Sequence, residues 1–271
     1  MHPILWRVKT IAEKIPGAFR VYKFVTSRTG EGKIYQITQG PLAGARWKRY
    51  NHLPYWYHKG LYEPQLSEYI QAHLKEGETF WDIGAHAGYH ALTAARAVGA
   101  RGRVIAVEPD PDICAIFREQ LVLNAIDHCT VIQGAVADRE GTVTLRRWAV
   151  DSRGSSLEEA GATDGEAIRV PSMTLDGMAK QYPHPQMLKM DIEGAEVLAL
   201  PGGGELFSGA DRPRHLIVGV HGAPAKAFTE TFLRDHAYRV ITPPTSEVLA
   251  TLIAVADTDG HHAESADVGQ R

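Results

Sequence analysis

The stretch FWDIGAHAGYHALTAA, residues 80–95, places an acid and two glycines where an apolar run ends and a helical pattern begins. The run around Asp82 is apolar on both faces, which is typical of a strand in a parallel sheet covered by helices. Residues from about 89 to 98 repeat at the period of a helix. Open α/β sheets bind ligands at the carboxyl ends of their strands, where Asp82, Gly84 and Gly88 fall. The stretch therefore predicts an α/β fold with a ligand crevice at this junction.

The chain beyond residue 95 continues this alternation of apolar runs and helical patterns. Further strands are predicted at RVIAVEP, CTVIQGAVA, MLKMDIEG, HLIVGVHG, RVIT and LIAVA, and helices over about residues 111–125 and 225–236. This order predicts a mostly parallel sheet with helices on both faces. It is interrupted by the strand-like TVTLRRWAV and by residues 151–167, which we expect to form a polar loop too poor in apolar residues to pack.

Composition limits the function classes. The net charge of -3 provides no global field for nucleic acid, so a nucleic-acid partner is disfavoured. Cys114 and Cys129 lack a C-x-x-C spacing and suit a reducing compartment, which predicts a cytoplasmic protein. No run approaches the roughly 18 apolar residues of a membrane span. Residues 3–14 are compatible with an amphipathic helix on a membrane surface, but packing against the domain is favoured.

The segment RWKRYNHLPYWYHKG, residues 46–60, interleaves basic and aromatic side chains. Such mixtures stack on bases or sugars and attract phosphate, which supports an RNA or a nucleotide-linked substrate. An aromatic lid that packs over the active site and carries solvated charges explains the same pattern. The sequence favours the lid and leaves both readings open.

The junction at residues 82–88 can serve two kinds of cofactor. Glu108 ends the next apolar run, where a carboxylate can accept both hydroxyls of a ribose. A dinucleotide fingerprint requires G-x-G-x-x-G, whereas only Gly84 and Gly88 are glycines here, so a hydride-transfer enzyme is disfavoured. The D-x-G-x-x-x-G spacing followed by Glu108 looks like motifs I and II of the class I S-adenosylmethionine-dependent methyltransferases.

A second stretch, LKMDIEGAEVLAL at residues 188–200, resembles the K-x-D-x-E-G-A-E signature of the FkbM family of methyltransferases. Other matching stretches follow in the family's order over roughly residues 60–222: GLYEP, FWDIGAHAGYHAL, RVIAVEPDP, Asn124, AVADREG and TLD. The resemblance implies a Rossmann-like methyltransferase fold with S-adenosylmethionine as the methyl donor. It also implies O-methylation of a hydroxyl on a sugar, polyketide or other secondary metabolite.

The patterning and composition of the chain predict a domain layout, and the resemblance implies a cofactor site. Residues 1–77 are expected to form an N-terminal helical and strand extension that acts as a substrate lid, residues 78–257 the S-adenosylmethionine-binding domain, and residues 258–271 a disordered tail. Asp82 is expected to reach the ammonium of the cofactor, Glu108 its ribose and Glu63 its methionine end. Pro109 and Asp110 are expected to shape the adenine edge, which Ala135, Val136 and Asp138 would flank. The residues expected to bind cofactor are Glu63, Asp82, Gly84, Ala85, His86, Gly88, Glu108, Pro109, Asp110, Ala135, Val136, Asp138 and Asp191.

The chain departs from the family pattern at three positions. His86 stands where the family commonly has asparagine. Gly219 stands two residues before His221, where the family often has glutamate. Pro201 alters the segment after the signature and should end its helix early.

Methyl transfer to a neutral alcohol calls for a base or a metal, because an alcohol is a weak nucleophile. His221, our preferred base, has an ordinary pKa that suits proton abstraction near neutrality; Asp191 and Lys189 are further candidates. A helix from residue 192 onward would place Glu193 and Glu196 on one face. The possible Mg²⁺ ligands are then Asp191, Glu193, Glu196 and His221.

These residues also admit structural roles. Acids in a first helical turn are favoured by the helix dipole alone, and short acids cap helices. His221 can be a hydrogen-bonded structural histidine, and Lys189 can pair with Asp191 or Glu108. Base N-methylation is disfavoured because the fourth strand ends in DIEGAE instead of a [DNS]-P-P-[FYW] box. A non-catalytic binding module of the same fold is a third hypothesis, and the oligomeric state, including a homo-oligomer, stays open.

Overall fold

The computed structural model describes residues 30–147, 155–163, 165–241 and 250–257. The strands are β1 (Ile34–Gln36), β2 (Arg46–Lys48), β3 (Thr79–Ile83), β4 (Arg103–Glu108), β5 (Cys129–Gln133), β6 (Ala135–Val136), β7 (Gly141–Arg147), β8 (Ser155–Leu157), β9 (Glu166–Met173), β10 (Met187–Met190), β11 (His215–Val220), β12 (Tyr238–Val240) and β13 (Ala250–Ala256). The helices are α1 (Pro64–His73), α2 (Tyr89–Val98), α3 (Pro111–Leu123), α4 (Leu175–Ala179), α5 (Glu196–Ala199), α6 (Gly204–Ser208) and α7 (Ala223–Asp235).

A seven-stranded sheet in the order β12-β13-β11-β10-β3-β4-β5 forms the centre of the molecule. The strands from β11 to β5 run parallel, whereas β13 pairs antiparallel with both β11 and β12. The chain order reverses around β3, which lies between β4 and β10. The predicted Rossmann-like, mostly parallel sheet is therefore confirmed.

Helices cover both faces of this sheet. Successive side chains of a strand point to opposite sides, and because these strands are largely apolar on both sides, both faces must be buried. On one face Phe80 and Val104 pack with side chains from α1, α2 and α3. On the other face Trp81 and Ile105 pack with side chains from α4, α6 and α7. The prediction of helices on both faces is confirmed.

The described part of the N-terminal region packs on this core. β1 and β2 form an antiparallel pair, and Trp47 of β2 is buried. Asn124 at the end of α3 accepts a hydrogen bond from the Arg46 amide and donates one to the Arg46 carbonyl, both at 2.8 Å. The predictions for residues 3–14 and 258–271 fall outside the described residues. None of the helices in the described ranges is long and apolar enough to cross a membrane.

The prediction that residues 151–167 form an unpacked loop is wrong for its described residues, which are 155–163 and 165–167. A four-stranded sheet in the order β6-β9-β7-β8 occupies this region, with β8 and β9 both pairing antiparallel to β7. Leu157 is buried with Val143, Leu145 and Val170 in a small core that also includes Ala195. Within the described part of the segment, Leu157 and Ala160 pack into this small core. That sheet supports the turn that follows β10.

Candidate active site

The reversal of strand order places the carboxyl ends of β3, β4, β10 and β11 around one crevice. Asp82 lies near the end of β3 and Glu108 ends β4. Asp191 directly follows β10, and His221 directly follows β11. The structure therefore brings the predicted cofactor residues and the predicted catalytic residues to the same edge of the sheet.

Asp82 is fully buried and pairs with a lysine of the neighbouring strand. Lys189 Nζ lies 3.1 Å from Asp82 Oδ1 and 3.4 Å from the Gly84 carbonyl oxygen. Burial lowers the pKa of Lys189, but the carboxylates of Asp82, Asp191 and Glu63 outweigh that effect and raise it, so the lysine stays charged. Lys189 therefore pairs with Asp82, and not with Asp191 or Glu108, the partners that the sequence had offered as an alternative to catalysis.

The two glycines of the loop have left-handed backbones that suit glycine. Gly84 has φ 77° and Gly88 has φ 84°. A Cβ on Gly84 would lie 2.1 Å from the Asp191 carbonyl oxygen, and one on Gly88 would lie 2.1 Å from the Phe117 ring. The close approach that requires glycine here is thus made by the protein's own packing, which holds β3 against the end of β10.

His86 occupies the centre of the same loop with a left-handed backbone, φ 49°. Asparagine and histidine tolerate this conformation better than most residues, which explains how histidine can replace the family's asparagine. The His86 amide donates to Glu108 Oε2 at 2.9 Å, and its ring nitrogen Nδ1 lies 2.8 Å from the hydroxyl of Tyr57. His86 therefore connects the loop to β4 and to the N-terminal region.

Glu108 is buried, and two backbone amides hold its carboxylate. The Asp110 amide donates to Oε1 at 3.0 Å, and the His86 amide donates to Oε2. Each carboxylate oxygen has a further lone pair for a ribose hydroxyl. Burial raises the pKa of Glu108 to about 7, although the two amide hydrogen bonds oppose this. The carboxylate fits the predicted role and titrates near neutral pH.

The residues after Glu108 and β5 form the remainder of the predicted adenine side. Asp110 caps α3 by accepting from the Asp112 and Ile113 amides. Its two oxygens also bind the Arg147 guanidinium, at 2.8 and 3.1 Å. Pro109 lies between Glu108 and Asp110, and β6 contributes the buried Ala135 and Val136. Asp138 lies further out and pairs with Arg139.

Glu63 approaches the crevice from the start of α1. Its Oε2 atom lies 2.8 Å from His90 Nε2 of α2, and its backbone has φ 39°. Burial by itself raises the pKa of Glu63, but the hydrogen bond from His90 and the nearby Lys189 hold the pKa below its ordinary value. Glu63 is thus anchored as an ionised carboxylate beside Lys189, where the sequence placed it at the methionine end of the cofactor.

The turn after β10 carries an acidic cluster, by which we mean Asp191, Glu193, Glu196 and His221. The predicted helix from residue 192 is wrong, because Glu193 and Gly194 have φ 55° and 98° and α5 begins only at Glu196. Pro201 follows the last residue of α5 by two positions, so the predicted early end of this helix is confirmed. Ser156 of β8 donates to the Glu193 carbonyl at 2.8 Å and supports the turn.

Three carboxylates surround the His221 ring. His221 Nε2 lies 3.2 Å from Glu193 Oε2 and 3.7 Å from Asp191 Oδ1, while Nδ1 lies 3.4 Å from Glu196 Oε1. Glu196, Glu193 and Asp191 raise the pKa of His221 to about 9 despite its partial burial. The expectation of an ordinary histidine pKa is wrong, because in this arrangement the ring holds its proton at neutral pH.

The donor atoms of the cluster fit a divalent cation. One ligand atom each from Asp191, Glu196 and His221 lies within 4.8 Å of the others, whereas Glu193 is not part of this group. Among the described residues, Glu196 Oε2 and His221 Nδ1 are buried side-chain atoms without a hydrogen-bond partner, as is Asp82 Oδ2. A set that includes a histidine nitrogen suits Mn²⁺ or another transition metal better than Mg²⁺, which prefers oxygen ligands and waters.

Left-handed backbone at non-glycine residues is concentrated at this crevice. Glu63, His86 and Glu193 have positive φ, and the other described examples, Ala125 and Ala237, follow the ends of α3 and α7. Each such residue costs about 1–3 kcal/mol, and strained positions of this kind cluster at functional sites. The folded protein therefore holds these three side chains in place at an energetic cost.

Sequence reasoning missed several residues of the site. Tyr57 stacks on Tyr89, with ring centroids 5.3 Å apart, and both lie beside Tyr62. Tyr57 and Tyr62 lie in the N-terminal region and Tyr89 lies in α2, and no sequence pattern indicated that they meet. His90 of α2 also belongs to the site, through its contact with Glu63. The contact of Arg147 with Asp110 had no signal in the sequence, because the interrupting strands could not be positioned.

Comparisons with known proteins agree with the motifs. The family model described as the Methyltransferase FkbM domain matches residues 82–240. Protein-L-isoaspartate O-methyltransferase 1 of Archaeoglobus fulgidus is 39% identical over 61 residues, which are 22% of this chain and 28% of that relative's length. The chain thus spans well under two thirds of this curated relative.

Solved structures of low sequence identity are also similar. The structure of methyltransferase FkbM from Methylobacillus flagellatus KT is 15% identical with a TM-score of 0.48, and the match covers 89% of this chain and 60% of that one. Precorrin-6y C5,15-methyltransferase from Geobacter metallireducens GS-15 is 14% identical with a TM-score of 0.46, covering 73% and 92%. Because the family model matches more than half of the chain, from Asp82 in the crevice to the end of β12, the protein belongs to the FkbM family of methyltransferases.

Proposed function

We propose that the protein transfers a methyl group to a hydroxyl of a small acceptor that carries no phosphate. The observation that carries this proposal is the acidic cluster at the ends of β10 and β11, beside the predicted cofactor residues at the ends of β3 and β4. S-adenosylmethionine supplies the reactive methyl on its sulfonium. The protein's own task is to orient the donor and the acceptor and to hold the hydroxyl proton.

We assign the binding of the methyl donor, S-adenosylmethionine, to three carboxylates at the carboxyl ends of β3 and β4 and at the start of α1. Glu108 accepts the ribose hydroxyls on the lone pairs that the His86 and Asp110 amides leave open. Asp82 Oδ2 is a buried acceptor atom without a partner in the described part of the chain, and it suits an ammonium or a water bound to one. Glu63, ionised beside His90, faces the same charge. These carboxylates favour a cationic donor.

The acceptor side is assigned to the acidic cluster. With His221 protonated, the carboxylates of Asp191 and Glu193 are the groups that can accept a hydroxyl proton. Burial raises the pKa of Asp191, which makes it a stronger proton acceptor than an exposed aspartate. Hydroxyl groups donate hydrogen bonds to carboxylates, so an alcohol satisfies this cluster.

The charges at the crevice edge support a small-molecule acceptor over RNA. The crevice edge carries the carboxylates of Asp191, Glu193 and Glu196, and the nearby Lys189 is already paired with Asp82. A phosphate entering this edge would meet like charges. Trp47 and Tyr57 of the aromatic segment are buried, and Lys48 pairs with Glu119. The lid reading therefore receives more support than a base-stacking surface.

The test is methyl transfer from S-adenosylmethionine carrying a tritiated methyl group. The acceptor panel pairs neutral polyhydroxylated glycosides and polyketides with their phosphorylated counterparts and adds a mixed RNA pool. We expect label only in neutral hydroxylated acceptors, and an alkali-stable ether in the product. Glu193→Gln should lower the rate, whereas Glu230→Gln on the outer face of α7 should not. Label in RNA or in an amine would overturn the proposal.

A divalent cation is a second possibility for the acidic cluster, supported by the grouping of Asp191, Glu196 and His221. A cation bound there would act as a Lewis acid on the acceptor oxygen. The test is calorimetric titration of chelator-treated protein with Mn²⁺ and with Mg²⁺. We expect Mn²⁺ to bind more tightly, and binding to be lost in His221→Gln. Transfer activity that survives chelation unchanged, with no heat from either ion, would leave the cluster acting without metal.

A further inference from the structure

Gly219 lies inside β11, opposite Thr251 of β13. Glycine in a strand interior weakens the strand and often marks a close approach by another group. The backbone of Gly219 is not among the positive-φ glycines, so conformation does not require glycine here. The reason must lie in the space above the residue.

That space is filled by the side chain of Asp191. A Cβ on Gly219 would lie 2.5 Å from Asp191 Oδ1, 2.9 Å from its Cγ and 3.3 Å from its Cβ. Contacts under 3.0 Å require a group to move, and Asp191 has short reach because its backbone is fixed at the end of β10. Its amide donates to the Ile83 carbonyl, and its own carbonyl lies against Gly84.

The position of this carboxylate matters for the acidic cluster. Gly219 and His221 are two residues apart in an extended segment, so they point to the same side. With the space above Gly219 open, Asp191 Oδ1 reaches to 3.7 Å from His221 Nε2. An acid thus faces His221 across the space that Gly219 leaves open.

We propose that Gly219 is a positioning residue that admits the Asp191 carboxylate to the acidic cluster beside His221. The proposal deepens the proposed function, since it concerns the acceptor side of the same site. It predicts that the two positions are coupled. A side chain at position 219 is excluded only while Asp191 keeps its carboxylate.

A double-mutant cycle tests this coupling by thermal unfolding. Gly219→Ala is expected to lower the midpoint by about 5 °C, because overpacking a filled site is destabilising. In the Asp191→Ala background the same substitution should shift the midpoint by less than about 2 °C. Gly204→Ala is the matched control, since a Cβ there meets nothing within 4 Å. An equal cost of Gly219→Ala in both backgrounds would overturn the proposal.

A variant that moves the acid from position 191 to position 219 tests the positioning role through the methyl-transfer rate. A glycine with a purely structural role would leave that rate unaffected by the exchange. Gly219→Glu should prevent folding alone, but with Asp191→Ala it should fold and recover the methyl-transfer rate lost in Asp191→Ala. If Gly219→Ala alone does not fold, folding of Gly219→Glu with Asp191→Ala tests the coupling instead. Failure of this double variant to fold would also overturn the proposal. The unfolding measurements need neither cofactor nor acceptor. A failed transfer assay would therefore contradict the proposed function but leave the measured coupling between positions 219 and 191 unaffected.

Discussion

Two halves of the same crevice differ in how their charges are satisfied. The cofactor edge, by which we mean Asp82, Glu108 and Asp110, has each carboxylate held by a lysine, by backbone amides or by an arginine. The acidic cluster has three carboxylates around a single imidazole, and Glu196 Oε2 is buried without a hydrogen bond from the described residues. We call the first half the complete half because each of its carboxylates has a protein partner, although Asp82 Oδ2 also lacks a hydrogen bond within the described ranges. The second half is built to receive a cation or a hydrogen-bond donor.

Removal of one partner from the complete half should have the largest effect. Lys189→Met leaves Asp82 buried and unpaired, which should cost about 3–5 kcal/mol of unfolding free energy. Glu193→Gln in the acidic cluster should cost less than about 1 kcal/mol, because it also relieves repulsion among the carboxylates. Urea unfolding of both variants measures the difference.

The matched control for this comparison is Lys226→Met, which removes an exposed lysine paired with Glu230. It should change the unfolding free energy by about 0.5 kcal/mol or less. Adding Asp82→Asn to Lys189→Met should recover part of the loss, because the buried charge is then removed as well. A similar cost for Lys189→Met and Glu193→Gln would show that the two halves do not differ in this way.

Loss of Glu108 should have the largest effect on cofactor binding. Glu108→Ala removes the ribose acceptor and leaves the His86 and Asp110 amides unpaired, so the Kd for S-adenosylhomocysteine should rise about 100-fold. Glu108→Gln, which can still accept one of these bonds, should raise the Kd about tenfold. Calorimetric titration measures both. The control Glu76→Ala, in an exposed pair with Arg101, should bind as the wild type does.

The sequence predicted the cofactor edge better than the acidic cluster for a physical reason. Asp82, Gly84 and Glu108 lie at strand ends, and strands were visible as apolar runs whose carboxyl ends must share one edge. The helices α2 and α3 were predicted to within about two residues by their apolar period. The fold and the cofactor edge could therefore be predicted from local sequence patterns.

The acidic cluster depends on contacts that no local pattern encodes. The turn from Ile192 to Ala195 takes a left-handed path at Glu193, and β8 holds that turn from a segment that looked like a polar loop. The pKa of His221, which follows β11, is raised by three carboxylates of the turn that follows β10. The residue types were enough to identify these groups as candidates. Their distances and protonation states follow from the folded conformation of the turn, which the sequence pattern did not predict.

Ionisation of Glu108 at the cofactor edge is expected to make cofactor binding depend on pH. Burial raises the pKa of Glu108 to about 7 from an ordinary value of 4.5. Between these values the folded protein keeps a proton that the unfolded chain has lost, so this group's contribution to stability falls as pH rises from 4.5 to about 7. Ribose hydroxyls donate better to the ionised form.

Affinity for S-adenosylhomocysteine should therefore increase with pH, by up to about tenfold between roughly pH 6 and pH 8. The measurement is a series of titrations across this range at constant ionic strength. Glu108→Gln has no group to ionise and should show a flat profile over the same range. A wild-type profile that is also flat would mean that Glu108 does not receive the ribose.

The smallest expected effect concerns the link between the second sheet and the cofactor edge. Arg147 grips Asp110 with two nitrogens, and Arg147→Lys keeps the charge but loses this forked geometry. Asp110 still caps α3, so only its orientation relaxes, and the Kd for S-adenosylhomocysteine should rise about two- to fivefold. Arg146→Lys is the neighbouring control, since Arg146 pairs with Glu158 on the other side of β7. An equal change in both variants would indicate a general loosening of the second sheet, whereas a change in Arg147→Lys alone makes that sheet part of the complete half of the crevice.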